Sequence, residues 1–383
     1  MLSRRGLLIA ARTASPVFLG LGAILLTTYG AVLAFQADAL AADLHYVYWG
    51  TARDILSGLS PYVEPDDPVV AGAAAFVYPA PTALLFVPFG LLSKEAADVV
   101  FTVLLDLCAV LTLVVLSVRD WRVYAITFLL PTTFYAWQLG NVTLPLALGV
   151  AITYRYRDRP VVAGTAVALV VGLKLFLWPV GVWLIATRRF AACGWALVTG
   201  IAANVVAWAV IGFDQIPRYV DLLRALTDAG ESRAYSVMAL LMQQGVTRSS
   251  AYAIGLLLAA SALVIIIVLA RRGRDAQALA IAIAAALLAS PLVWLHYFAL
   301  VMVPLAITRP TISALWFAPA LLWLCPPTRP TTAELCLALG VMFTTLGATV
   351  LSPRPPARLD AQKRTSRSGL RVRRPTTPAS AGR

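Results

Sequence analysis

The sequence predicts an all-α polytopic membrane protein. Three observations predict it. The 383-residue chain is 60% hydrophobic and only 13% charged, whereas soluble domains carry about 25% charged residues. Apolar runs recur from residue 15 to residue 352. The short polar breaks between them alternate between Arg-rich and Arg-poor, as they do when a chain threads a bilayer under the positive-inside rule. A mean hydropathy of +0.81 points the same way. Residues 1–352 read as a single transmembrane domain with no room for a separate soluble one.

The elements follow in order. Arg4, Arg5 and Arg12 precede "VFLGLGAILLTTYGAVLAF". This run is long enough to span and reads as an uncleaved first helix rather than a signal peptide. Residues 36–80 contain six acids and a single base, Arg53, which suits an outer loop. Within it, Leu44, Val47, Tyr48, Ala52, Ile55, Leu56 and Leu59 share one helical face. Residues 43–58 are therefore expected to form an amphipathic helix that could lie on the membrane. "FVYPAPTALLFVPFGLLS" (76–93) is interrupted by Pro79, Pro81 and Pro88 and reads as a re-entrant half-helix.

Spans are expected at about 15–35, 96–117, 122–137, 142–154, 160–173, 175–187, 190–212, 251–269, 276–290, 295–307, 311–325 and 332–352. That is about twelve transmembrane helices with both termini cytoplasmic. Several reach only about 20–24 Å at 1.5 Å per residue, short of a hydrocarbon core of about 30 Å. They are expected to be short, broken helices around a cavity. Residues 160–187 could instead be one helix kinked at Pro179, but that would leave Lys174 at mid-membrane and Arg188 and Arg189 outside. A second amphipathic helix is expected at 214–228, inside an outer loop at 213–250. Residues 353–383 hold nine basic side chains against one acid, and read as a disordered cytoplasmic tail able to touch anionic lipid.

The four cysteines stand alone, with no metal-ligand or redox spacing. No nucleotide-binding glycine loop, Ser-His-Asp or HExxH pattern occurs. "EPDDP" (64–68) reads as a solvated turn rather than a metal site. No cofactor, metal or nucleic-acid partner is expected. The Asn-Val-Thr pattern at Asn141 sits at a span boundary and reads as coincidence.

The polar residues collect on the outer side: Asp43 and His45, Gln138 and Asn141, Lys174, and His296. Ionisable residues at the membrane edge are functional candidates by default. Each has a structural alternative. Asp43 could cap the helix beginning at Leu44, Lys174 could snorkel, His296 could bond a carbonyl, and Gln138 and Asn141 could be helix-end polar residues. One carboxylate and one cation suit displacement of a phosphate leaving group. Asp43 would deprotonate an acceptor hydroxyl, and Lys174 would offset charge developing on the phosphate.

At this point "DLHYVYWGTARDILSGLSPY", "FVYPAPTALLFVPFGLL", "QLGNVTLPLAL", "VAGTAVALVVGLKLFLWPVGVWLIATRRFAA" and "SPLVWLHYFALVMVPL" matter together. In this order the chain resembles glycosyltransferase family 87, the bacterial polyprenol-phosphate-dependent mannosyltransferases with the GT-C fold. Two motifs depart from the family's pattern. The G-Q-x-N element appears as Gln138-Leu139-Gly140-Asn141, and Tyr297 stands where a second histidine is common. The resemblance implies transfer of a mannosyl group, or in related enzymes an arabinofuranosyl group, from a polyprenyl-phosphate donor to a glycolipid or lipoglycan at the outer face. Transfer would invert to an α-linkage. It implies Asp43 as general base and His296 as a further catalytic residue. Lys174, Gln138, Asn141, Tyr78 and His45 would bind the donor phosphate or sugar. A transporter or lipid flippase is the alternative, disfavoured by the absence of an internal repeat.

Overall fold

The computed structural model describes residue 17 and residues 19–32, 40–72 and 74–352. The basic tail and the N-terminal arginines lie outside the described residues. The described chain is all-helical, with no strand.

Four helices are long and apolar enough to cross a membrane unaided: Lys94–Val115, Phe190–Ile211, Arg248–Arg271 and Thr332–Leu351. Local chemistry sets where they start. The Ser93 hydroxyl accepts from Ala96 N, and Thr247 accepts from Ser250 N. Thr331 and Glu334 form a reciprocal capping box. Each cap satisfies N–H groups that the first turn leaves without partners.

These four helices connect two clusters of loops. In one, the Arg189 guanidinium lies 2.6 Å from the Asp275 carboxylate, with Arg157 3.4 Å from the same oxygen. There too Arg274 donates to Val350 O at 2.7 Å. In the other, Arg233 donates to the carbonyls of Ala71 and Gly72, and Gln243 donates to Pro330 O. The arginine-bearing breaks at 154–159, 187–189 and 270–275 thus meet at one end of the bundle, and the loops holding Gly72, Arg233 and Pro330 meet at the other. The partly buried Asp275 carboxylate offsets the repulsion between converging arginines.

The remaining apolar segments are short or broken, and helix length alone does not establish the expected count of about twelve. The expected span 122–137 divides into Trp121–Leu129 and Pro131–Gln138. Pro131 holds Leu130 extended and ends the first piece. Pro131–Gln138 then meets Thr143–Arg155 at a bend of 118°. Residues 160–187 form two pieces, with Lys174 extended between Pro160–Leu173 and the 3-10 turn Leu175–Leu177 that leads into Pro179–Ala186. The expected span 311–325 is two stretches of 3-10 helix, Ala314–Trp316 and Ala318–Leu324.

An all-round apolar helix can face lipid or protein, and the structure separates the cases. Asp275–Ala289 and Leu295–Thr308 are almost wholly buried. Phe190–Ile211 buries only Ala192, Ala207 and Trp208. It packs on Pro160–Leu173 through Gly164, where a Cβ would stand 2.3 Å from the Ala192 carbonyl oxygen.

The first amphipathic segment is a π-helix, Leu44–Trp49, continuing as the α-helix Gly50–Leu56. Its buried face, Leu44, Tyr48, Thr51 and Ala52, packs on the half-helix Ala80–Gly90 and on Lys94–Val115. The apolar face is therefore covered by protein, while Leu56 and Leu59 at its far end stay exposed. The second amphipathic helix spans Ile216–Gly230 and buries Tyr219, Leu222 and Leu226. Two of the three acids of "EPDDP" have structural partners. Glu64 pairs with Arg218, and Asp67 caps the short helix Pro68–Ala71.

Candidate functional site

The site begins with two backbone hydrogen bonds. Ala41 N donates to Gln138 O at 2.7 Å, and Asp43 N donates to Leu139 O at 2.6 Å. They fasten the first long loop to the turn between Pro131–Gln138 and Thr143–Arg155. Gly140 makes the approach possible. Its φ is +65°, and a Cβ there would stand 2.8 Å from both Cα and Cβ of Ala41. Ala41 is itself left-handed at φ +53°.

This stitching brings the Asp43 carboxylate to 2.5 Å from the Asn141 side-chain Nδ2. Asn141 is held in one orientation. Thr143 donates to Asn141 Oδ1 through its backbone N at 3.2 Å and its hydroxyl at 2.8 Å. Two donors at Oδ1 leave Nδ2 for the carboxylate.

Lys174 reaches the same amide from the opposite side. Its Nζ lies 3.3 Å from Asn141 Oδ1 and donates to the Tyr297 hydroxyl at 2.7 Å. The ammonium also faces the Tyr297 ring at 3.9 Å and the Tyr78 ring at 5.2 Å, an arrangement that compensates a buried cation. The break between helices sets this position. Lys174 is extended, and the Thr82 hydroxyl donates to Gly172 O, one of the carbonyls freed where the helix stops. Tyr78 is fixed in turn by the Tyr48 hydroxyl at 2.6 Å, and Tyr297 stacks on Phe176.

His296 is 5% exposed. Its Nε2 is buried without a hydrogen-bond partner among the described residues, which is costly unless a ligand supplies one. Its ring stands edge-on to Tyr297 at 5.0 Å.

These side chains line one cavity of about 560 Å³. Asp43, Tyr78, Asn141, Lys174, His296 and Tyr297 form its polar part. Phe176, Tyr219, Leu223, Leu226, Leu292 and Trp294 form an apolar wall. Arg233 and Arg329 stand among the lining residues from the later loops. Burial pushes the Asp43 carboxyl above the usual carboxylate range, against the opposing pull of the Asn141 hydrogen bond and the Lys174 charge. An acid raised in this way is a stronger base than a free carboxylate once it ionises.

Five of the seven candidate residues come together: Asp43, Tyr78, Asn141, Lys174 and His296. Two do not line the cavity. Gln138 contributes its backbone carbonyl to Ala41. His45 turns away, its Nδ1 3.6 Å from the Asp98 carboxylate on Lys94–Val115. Asp43 and His45 stand two residues apart, roughly half a turn of the π-start, so they point to different sides. Sequence reasoning missed Tyr297, which reads only as an aromatic neighbour of His296, and Thr143, which reads as an ordinary helix start. It also missed Arg233, in the expected outer loop 213–250, and Arg329, between the expected spans 311–325 and 332–352.

The family model described as glycosyltransferase family 87 matches residues 76–294, more than half of the chain. The matched region includes Tyr78, Asn141 and Lys174, stops two residues before His296, and leaves out Asp43. No curated protein and no solved structure matches the chain.

Proposed function

The chain belongs to glycosyltransferase family 87, and from that premise we propose that it moves a mannosyl group from a polyprenyl-phosphate donor to a glycolipid or lipoglycan. Asp43 is the general base. It takes the proton of the acceptor hydroxyl, whose oxygen attacks the anomeric carbon of the donor sugar. The bond from that carbon to the phosphate oxygen breaks, and polyprenyl phosphate leaves with the electron pair. Attack opposite the leaving group inverts a β-phosphate into an α-glycoside. Lys174 and the Tyr297 hydroxyl offset the charge growing on the phosphate. His296 supplies a hydrogen bond from Nε2, which has no partner among the described residues.

One observation carries this reading. A carboxylate and an ammonium meet in a single cavity but are bridged by the Asn141 amide. A direct ion pair would occupy the charges that the reaction needs. With the amide between them, Asp43 keeps a lone pair for the acceptor proton, and Lys174 keeps donors for the phosphate. The apolar wall and the half-exposed Leu175 beside Lys174 suit substrates that arrive with lipid chains. By the positive-inside rule, the Arg-rich end faces the cytoplasm and the cavity faces the extracytoplasmic side.

Purified protein incubated with radiolabelled polyprenyl-phosphate mannose and a membrane glycolipid fraction tests the proposal. Label is expected in a lipid product and should be released by an α-mannosidase. Label that stays entirely in the donor, or is freed only by a β-mannosidase, contradicts it.

A further inference from the structure

The cavity holds more positive charge than the transfer reaction needs. Its lining carries Lys174, Arg233 and Arg329 against one carboxylate, Asp43. The Arg233 guanidinium is already engaged, donating to Ala71 O and Gly72 O at 3.0 Å each. Arg329 differs. It is exposed at the cavity edge, and its guanidinium has no partner among the described residues. Other arginines of this end do have partners: Arg218 with Glu64, Arg224 with Asp221, and Arg248 with Asp228 and Glu231.

The backbone around Arg329 is held on both sides. The Tyr235 hydroxyl donates to Pro326 O at 2.5 Å, and Gln243 Nε2 donates to Pro330 O at 3.0 Å. Arg329 N donates to Arg233 O at 3.3 Å. Thr331 then begins the capping box with Glu334, and Pro326, Pro327 and Pro330 restrict the remaining freedom. Within this clamp Arg329 is left-handed, at φ +55°, a conformation that costs a non-glycine residue about 1–3 kcal/mol. A glycine would relieve that strain. The loop instead holds a long cation there and aims it at the cavity edge.

We propose that Arg329 anchors a phosphodiester in the headgroup of the acceptor lipid. This rests on the transferase reading above. The donor phosphate must sit beside the reacting carbon, within reach of Asp43 and Lys174. A second cation at the edge then matches a second anion, and a guanidinium fork suits a phosphate bidentately. The acceptor would lie with its phosphodiester at Arg329 and its sugar extending inward to Asp43. Arg329 is thus a specificity residue that selects anionic acceptors.

The test is binding in an uncharged detergent, read by the fluorescence of Trp294 and its neighbours. The probes are dihexanoyl phosphatidylglycerol, uncharged dihexanoylglycerol, and farnesyl phosphate as a donor mimic. The wild type should bind the phosphatidylglycerol more tightly than the uncharged lipid. Arg329→Gln and Arg329→Gly should each weaken it about 10- to 100-fold, as expected for loss of a charged hydrogen bond, and should leave farnesyl phosphate unchanged. Arg329→Gly suits the left-handed backbone, so its fold is not at risk. Three results overturn the proposal: equal phosphatidylglycerol affinity in the variants, no preference in the wild type, or a loss confined to farnesyl phosphate, which would assign the cation to the donor. Asp43→Asn separates this proposal from the transferase reading. It should keep phosphatidylglycerol affinity, and transfer that survives in it would remove the base while leaving the Arg329 result intact.

Discussion

Asp43 and Lys174 hold opposite ends of one side-chain amide. Asn141 donates to the carboxylate at 2.5 Å, and its carbonyl oxygen lies 3.3 Å from the ammonium. The three residues come from a surface loop, a helix-joining turn and a helix break, far apart in sequence. The amide bridge keeps a base and a cation close without letting them neutralise each other.

Asn141→Ala removes that bridge. Asp43 and Lys174 are then free to pair, and Thr143 loses its acceptor. Turnover should fall by about 100-fold, the scale of a misplaced general base. Donor affinity should change much less. Steady-state kinetics that show a change in KM alone would contradict this.

Gly140→Ala tests the backbone stitch. The added Cβ meets Ala41 at 2.8 Å in a left-handed conformation. The variant should lose about 1–3 kcal/mol of stability and move Asp43 off Asn141. A thermal melt in detergent, compared with Gly181→Ala, where a Cβ meets nothing within 4 Å, isolates the effect. Equal melting temperatures would count against the stitch.

The pH profile follows from the raised Asp43 carboxyl. The base works only when ionised. As pH falls through its raised pKa the carboxyl takes up a proton, and kcat/KM should drop about tenfold per pH unit. The midpoint of this acid limb should lie above the free-aspartate value of about 3.9. A limb centred at or below that value would show that burial does not govern the base.

Tyr297→Phe removes the hydroxyl that accepts from Lys174 at 2.7 Å and keeps the ring. The loss should be modest, about 0.5–1.5 kcal/mol or up to roughly tenfold in kcat/KM. Lys174→Met removes the charge itself and should cost far more, chiefly in donor use. Comparable losses in both would make the tyrosine, not the ammonium, the phosphate partner.

The candidate residues were legible because ionisable and amide side chains stand out in a chain this apolar. Asp43, Asn141, Lys174 and His296 each mark a place where an apolar run stops. Their assembly was less legible, since it depends on contacts between distant breaks and on Gly140, a residue with no side chain to notice. His45 illustrates the limit. Two residues from Asp43 in sequence, it faces Asp98 because the helix turns between them. Periodicity also showed an apolar face over Leu44, Tyr48 and Ala52, but not that protein rather than membrane covers it. The runs around Pro131 and Pro319 read as spans because hydropathy does not register a 3-10 helix or a proline break. Arg329 was hidden for the opposite reason: a single arginine among prolines reads as punctuation.

Single-turnover transfer by Asp43→Asn tests the central claim most directly. The substitution keeps the size of the side chain and removes the base. The variant should melt at the wild-type temperature and bind polyprenyl-phosphate mannose with unchanged affinity. Its transfer rate should fall at least 100-fold, within the usual range of about 10²–10⁴ for loss of a general base. Transfer at the wild-type rate in the folded, donor-bound variant would contradict the account.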